Sequence, residues 1–438
     1  MNRSFIRLMA LIMIIGIATP STVGVRAQEA QYFYAIVATE TTFEIVRIDV
    51  STGSSSIVTS LPNRSTETFG EIAGEAEVKL AEDFFTSLGR DGSGLAQGIT
   101  HANVRLIAAA PDGQTLAITI EYLVCYQYMA GKGCFGATRL LLLDTTSGEL
   151  HTLFSIAFHD LAYKDICWSI VASTDEVVIG AVQWQSNEVI AIDIIGRSLC
   201  HLDSKSSAVI VLSTNEHIAP IRLANLITWT SSGDPQTIIG VHQQCPERIT
   251  DPITCDYVIS AYDFDLEQQT VNQVDYPTVT ERVVVAHDKG MAWVEGKTIF
   301  QTYEFLYPME GVPNGLGMLT PDDPNPVQVM LPLPDKLGNS LSRFASAPDG
   351  SIALAQTRDG KLWRLVFTDG KLQLTEFYGG SVSTWWWSPD NQLLVRSTDD
   401  RYLILDERGS VIKEIDVAAV VRSVKRAFDY MPLVTLDW

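Results

Sequence analysis

The tetrapeptide Ala110-Pro111-Asp112-Gly113 returns as Ala347-Pro348-Asp349-Gly350 and, altered, as Ser388-Pro389-Asp390-Asn391. Each residue type suits a tight turn for its own reason. Proline presets φ, aspartate bonds back to the chain, and glycine relieves the exit. After each copy come apolar runs separated by further turns. A chain punctuated in this way cannot bury one long sheet; it folds as a series of small antiparallel sheets.

The clearest pair lies near the C-terminus. Ala347-Pro348-Asp349-Gly350 precedes Ile352-Ala353-Leu354-Ala355, the turn Arg358-Asp359-Gly360, the run Leu362 to Phe367, the turn Thr368-Asp369-Gly370, and Leu372-Gln373-Leu374. About 40 residues on, Trp387-Ser388-Pro389-Asp390 opens the same order again, a period and strand count that belong to a propeller blade. Weaker copies fill the middle: Ala172-Ser173-Thr174-Asp175, Trp229-Thr230-Ser231-Ser232-Gly233 and Ala286-His287-Asp288. With the opening strands from Tyr32, the count is seven four-stranded blades, at 32–62, 105–155, 165–203, 222–276, 282–333, 341–378 and 382–416. Six and eight are the neighbouring counts. The first unit lacks an inner strand, and the strand-like tail 431–438 is placed to supply it and close the ring.

These turns resemble the TolB-type propeller repeat, a relative of the WD-repeat propellers whose blades carry Trp-Ser-Pro-Asp-Gly. Trp387-Ser388-Pro389-Asp390 matches nearly in full, with Asn391 for the glycine, whereas the two Ala-Pro-Asp-Gly copies lack the tryptophan. The resemblance spans most of the chain as architecture and implies an all-β propeller. It does not extend to TolB itself, because blades begin at once after the leader, and TolB's partners do not carry over.

One stretch breaks the pattern. In the insertion 63–104, Ala73, Ala76, Leu80, Phe84 and Leu88 fall at helical spacing over Glu71 to Leu88, with Gly89 as a C-terminal cap. The expectation is an amphipathic helix between blades 1 and 2, lying on the propeller's rim or over one mouth.

Arg3 and Arg7, the apolar stretch Leu8 to Ala18, and Val25-Arg26-Ala27 read as an export signal cleaved after Ala27. The apolar run is about half the ~20 residues that span a bilayer. Residues 28–438 then form the propeller domain, secreted or periplasmic and monomeric, with no membrane span. Their 28 basic residues face 52 acidic ones, a net charge of −24. That surface repels phosphate backbones and anionic lipid, so nucleic acid is excluded as a partner.

Six cysteines in an exported chain read as disulfides. Cys125 and Cys134 flank one hairpin-like stretch, and Cys245 and Cys255 flank another. Each bridge would contribute on the order of 2–3 kcal/mol on the chain-entropy model. Zinc is the rival, and no Cys-x-x-Cys or His-x-His spacing supports it. Cys167 falls on an inner strand of the third unit and Cys200 on an outer one, roughly 14 Å apart and beyond disulfide reach. Either both stay reduced or that unit's strands are differently placed.

Linear catalytic signatures are missing from the sequence: no Gly-x-Ser-x-Gly elbow, no His-Glu-x-x-His, no phosphate loop, no complete EF-hand. Asp263-Phe264-Asp265 places two carboxylates on one strand face, half a Ca2+ site or a catalytic dyad, against the commoner reading of a solvated turn. Asp322-Asp323-Pro324-Asn325-Pro326 offers oxygen ligands in a loop. No cofactor is otherwise expected. In Thr384-Trp385-Trp386-Trp387, Trp385 and Trp386 are the candidate contacts for a sugar or protein, weighed against packing between blades.

Two functions remain. The leading one is a non-enzymatic binding or scaffolding module for a protein or glycan, which expects an exposed aromatic patch near a mouth of the ring. The alternative is a propeller hydrolase or lyase with its site at the central channel, which expects Asp112, His151, Asp263 and His287 to converge.

Overall fold

Two of the three related turns close with the same hydrogen bonds. Ala110 N donates to Thr115 O at 2.8 Å and Gly113 N to Ala110 O at 2.8 Å; Ala347 N and Gly350 N repeat this with Ile352 O and Ala347 O, both at 2.9 Å. Asp112 and Asp349 accept from the backbone N of Gln114 and Ser351, two residues on. The third copy bonds Ser388 N to Gln392 O at 2.8 Å, and Asn391 takes the left-handed φ of 64° where the other two copies hold glycine. Asparagine tolerates that region better than most residues.

The computed structural model describes residues 32–49, 54–75, 99–128, 131–157, 176–197, 206–223, 226–244, 256–276, 284–285, 291–306, 310–321, 327–330, 341–368, 371–388, 391–399, 401–416 and 434–437, with 52, 78, 79, 82, 83 and 323. The fold is an all-β propeller of seven blades. Blade 1 combines Val434–Asp437 with Tyr32–Ala38, Thr42–Asp49 and Ser55–Pro62. The C-terminal strand is its inner strand, pairing Tyr34↔Asp437 through Val37↔Val434.

Blade 2 runs Ile99–Ala109, Thr115–Tyr128, Gly131–Asp144 and Leu150–Ala157. Blade 4 is Leu226–Ser231, Thr237–Gln244, Asp256–Asp265 and Thr270–Tyr276. In blade 5 the inner strand is split into Val284–Val285 and Met291–Val294, followed by Lys297–Leu306, Glu310–Leu319 and Val327–Met330. Blade 6 is Leu341–Ser346, Ala353–Thr357, Leu362–Thr368 and Lys371–Tyr378; blade 7 is Val382–Trp387, Leu393–Ser397, Tyr402–Leu405 and Val411–Ile415.

Blade 3 corrects the sequence reading. Its strands are Glu176–Trp184, Val189–Arg197, Ser206–Ser213 and Ile221–Arg222, so the unit ends near 222, well past 203. Its first turn is Gln185-Ser186-Asn187-Glu188, closed by Gln185 N to Val189 O at 2.8 Å, and not Ala172-Ser173-Thr174-Asp175. This turn has neither proline nor glycine, and Ser186 Oγ accepts from Glu188 N instead. Trp184 stands where Trp387 stands in blade 7, one residue before the turn. Cys167 and Cys200 lie outside the described residues.

The core is divided among the seams. Seven apolar clusters occur among the described residues, one between each pair of adjacent blades. The strand Tyr32–Ala38 shows why its sequence is apolar throughout: Phe33, Ala35 and Val37 enter the seam with blade 7, and Tyr34 and Ile36 the seam with blade 2. Alternate side chains of a strand point to opposite faces, and here both faces are covered. The blade 7–blade 1 cluster joins Phe33 and Ile48 to Leu394 and Ile404, so apolar packing closes the ring as well as hydrogen bonds.

The insertion is also rearranged. Arg64–Thr68 pairs with the inner strand of blade 2 (Arg64↔His101, Thr68↔Ile99) and gives that blade a fifth strand. A helix then spans Phe69–Ala73, with a Thr68–Glu71 capping box at its start and Gly74 at φ 88° at its end. The positive φ at Gly74 breaks the single helix expected from Glu71 to Leu88. Helical turns resume at Glu75, and most of the remainder lies outside the described residues. Phe69, Ile72 and Val78 are buried, and Ile72 belongs to the blade 1–blade 2 core, so this element packs on the propeller's rim.

Candidate recognition surface

A four-stranded meander sends its first and third turns to one end and its second turn, with the link to the next blade, to the other. The ring therefore has two unlike mouths. At the first, short turns bond from blade to blade. Asp112 N donates to Asn187 Oδ1 at 3.1 Å, Asp349 N to Asn391 Oδ1 at 3.3 Å, and Glu295 N to Gly350 O at 2.9 Å. Gln269 Nε2 reaches Ala219 O at 2.8 Å, linking blades 4 and 3. Gly409, at φ 79°, sits so close to blade 6 that an added Cβ would lie 1.7 Å from Phe377 O.

The second mouth carries the long hairpins of blades 2 and 5. In blade 2 the two middle strands pair without a register shift from Thr115↔Asp144 to Tyr128↔Gly131. The inner strand stops at His101↔Leu123 and the outer one at Ala137↔Ala157. The rungs from Val124↔Phe135 to Tyr128↔Gly131 thus form a two-stranded ribbon standing about 17 Å beyond its blade. Strand alternation puts Val124, Tyr126, Tyr128 and Phe135 on one face of the ribbon, with Gly131 and Gly133 opposite the tyrosines. Blade 5 repeats the overhang more modestly, its middle strands pairing to Leu306↔Glu310 while the inner strand ends at Val284↔Tyr303. The insertion joins this mouth: Arg139 Nη1 meets Glu67 Oε2 at 2.8 Å, and the Arg139 guanidinium lies 5.5 Å from the Tyr122 ring centroid.

Trp385 is fully buried in the blade 6–blade 7 seam. Its Nε1 donates to Gln356 Oε1 at 3.1 Å and the Arg343 guanidinium lies 4.5 Å from its ring centroid. Trp386 packs against the blade 7–blade 1 core. An inner strand covered on both faces places Trp385 and Trp386 in the packing between blades.

The residues expected to converge in an enzyme lie on separate elements where they are described. Asp112 lies in the first turn of blade 2, His151 on the exposed outer strand of that blade, and Asp263 on the third strand of blade 4. His287 lies outside the described residues. Asp263 Oδ1 accepts from Thr237 Oγ1 at 2.8 Å, and Asp265 Oδ1 from Gln268 N at 2.9 Å, so each carboxylate serves a local partner. Among the described residues no group of three or more His, Cys, Asp or Glu is placed to hold a metal ion.

A polar network in blade 4 escaped the sequence reading. Ser260 Oγ donates to Asp275 Oδ1 at 2.7 Å and lies 3.3 Å from His242 Nδ1, while Tyr262 Oη is 3.1 Å from the same nitrogen. Gln273 Nε2 also reaches Asp275 Oδ1, at 2.6 Å. The hydrogen bonds from Gln273 and Ser260 hold the Asp275 carboxyl below its ordinary range, and burial raises the Tyr262 hydroxyl above its own. Serine, histidine and aspartate are all present, but their order is wrong for a nucleophile. The serine proton is directed at the carboxylate, and Ser260 has no exposed surface to meet a substrate. The network ties three strands together. Its signal was the alternation Ser260, Tyr262 on one strand face, legible only once the register with His242 was known.

No protein-family model and no curated protein matches the sequence. Solved structures similar in fold include the β-propeller domain of the Trilobed protease from Pyrococcus furiosus, with TM-score 0.41 and 8% identity over 88% of this chain and 98% of that one. Apo AztD from Citrobacter koseri gives 0.41 and 10% over 93% and 97%, and Pyrococcus horikoshii acylaminoacyl peptidase gives 0.46 and 9% over 90% and 54%. Identities this low concern the fold alone.

Proposed function

We propose that this chain is an exported, monomeric, non-enzymatic propeller that binds or scaffolds a protein or glycan through its ribbon-bearing mouth. The observation that carries the reading is the blade 2 ribbon, which reaches past both flanking strands and sets Tyr126, Tyr128, Val124 and Phe135 on one face. Aromatic side chains supply large contact area at low entropic cost, and they suit sugar rings as well as protein surfaces. The acidic surface disfavours polyanionic partners, nucleic acid included. No helix among the described residues is long and apolar enough to cross a membrane.

The test is a comparative capture. The immobilised chain, and a variant with Val124–Phe135 replaced by a two-residue turn, are exposed to cross-linked envelope and secreted proteins and to a glycan panel. A partner enriched by the full chain, lost from the trimmed one and retained by Asn187→Ala supports the reading. Equal enrichment by both chains overturns the assignment to this mouth. Enrichment of nothing favours the alternative, a hydrolase or lyase acting at the central channel, and metal analysis with a substrate screen would follow.

A further inference from the structure

We propose that Cys125 and Cys134 form a disulfide that staples the blade 2 ribbon. Three observations lead there, none resting on the functional reading above. The two residues occupy one rung, Cys125↔Cys134, in a ladder without register shifts. Antiparallel rungs alternate between hydrogen-bonded and non-hydrogen-bonded pairs, and side chains approach more closely in the second kind. A disulfide needs Cβ atoms about 3.5–4.5 Å apart, which favours that second kind.

The parity of the ladder can be read from its far end. Thr145 N donates to Gln114 O at 2.9 Å, making 114 and 145 a hydrogen-bonded rung. Even positions of the second strand are then hydrogen-bonded rungs and odd positions are not, so Cys125 falls on a non-hydrogen-bonded rung. The tip gives the same answer independently. Two residues separate Tyr128 from Gly131, and the rung that closes a two-residue hairpin loop is hydrogen-bonded. Three rungs back is Cys125↔Cys134.

The third observation is need. Beyond Leu123 and Gly136 the ribbon has two strands, and a two-stranded ribbon is marginal in water without further support. A cross-link near the middle of the overhang holds its register. Formation balances with a disulfide oxidant such as oxidised glutathione. One cysteine thiolate attacks the oxidant to give a mixed disulfide and release one thiol; the second thiolate attacks the protein-bound sulfur and expels the other thiol. Two protein thiols are oxidised and one oxidant disulfide is reduced.

Lys132 lies between the two cysteines and makes the test direct. The full chain is equilibrated with oxidised glutathione, blocked with an alkylating agent under denaturing conditions without reductant, and cut with trypsin. The expected product is residues 106–132 joined to residues 133–139, separating on reduction into two peptides with newly alkylatable thiols. Cys125→Ser should leave Cys134 alkylated in the unreduced sample, a check that needs no native partner. Recovery of Cys125 and Cys134 both alkylated from the oxidised wild-type chain, or joined to other cysteines, overturns the proposal.

Discussion

The two mouths of this ring solve different problems with the same strand order. At one, turns such as 110–115 and 347–352 are as short as the chemistry allows, and Asn187 and Asn391 bond each to the turn of the preceding blade. At the other, the blade 2 hairpin runs past its neighbours, and an extra strand and a capped helix lie beside it. Shortness couples blades; length makes surface that the ring does not need. Stability should therefore reside in the seams and the short-turn mouth, and recognition in the long-hairpin mouth.

That division can be broken by substitution. Trp385→Ala empties a fully buried site between blades 6 and 7 and removes the indole donor to Gln356 Oε1, so it should cost about 4 kcal/mol, read as a lower midpoint in urea unfolding. Gly409→Ala forces a side chain into a left-handed turn and against the Phe377 carbonyl, a loss of about 3 kcal/mol by the same measurement. Asn187→Ala removes one side-chain tie between the turns of blades 2 and 3 and should cost no more than about 1 kcal/mol. Partner capture by the folded fraction should survive all three. If Asn187→Ala abolished capture while leaving stability intact, the roles of the mouths would be reversed.

The smallest effect is acid sensitivity in blade 4. The folded Asp275 carboxyl has a lowered pKa, mainly through Gln273 and Ser260. A carboxylate depressed on folding contributes stability that is complete above its unfolded value, near 3.9, and is lost as pH falls through the lower folded value. Asp275→Asn should flatten the pH dependence of stability below about pH 4 and leave it unchanged near neutrality. An identical acid limb in the variant would remove Asp275 from the account.

Much of the ring could be read from the chain because its turns are chemically explicit. Pro-Asp-Gly and its Asn391 variant marked the inner corners of blades 2, 6 and 7, and the hydrogen bonds there follow the residue types. Blade 3 was misplaced because its corner, Gln185-Ser186-Asn187-Glu188, uses serine and asparagine side chains in place of proline and glycine. Trp184 was the usable signal, standing as Trp387 does. The helix boundary was missed because periodicity cannot see a single positive φ at Gly74. For Trp385 the sequence left ligand contact and blade packing side by side, because it shows the type of a residue but not what covers it. The cysteines held more than was drawn from them. Position numbers on the blade 2 ladder sum to 259, as 125 and 134 do. Cys245 and Cys255 lie outside the described residues.

The most direct test is site-specific photocross-linking from both mouths of the same folded chain. A photoreactive aromatic residue replaces Tyr126 on the ribbon in one sample and Gln114 at the short-turn mouth in another, each irradiated with the captured partner. The account predicts adducts from position 126 and none from position 114. Adducts from 114 alone, or equal yields from both, would contradict it.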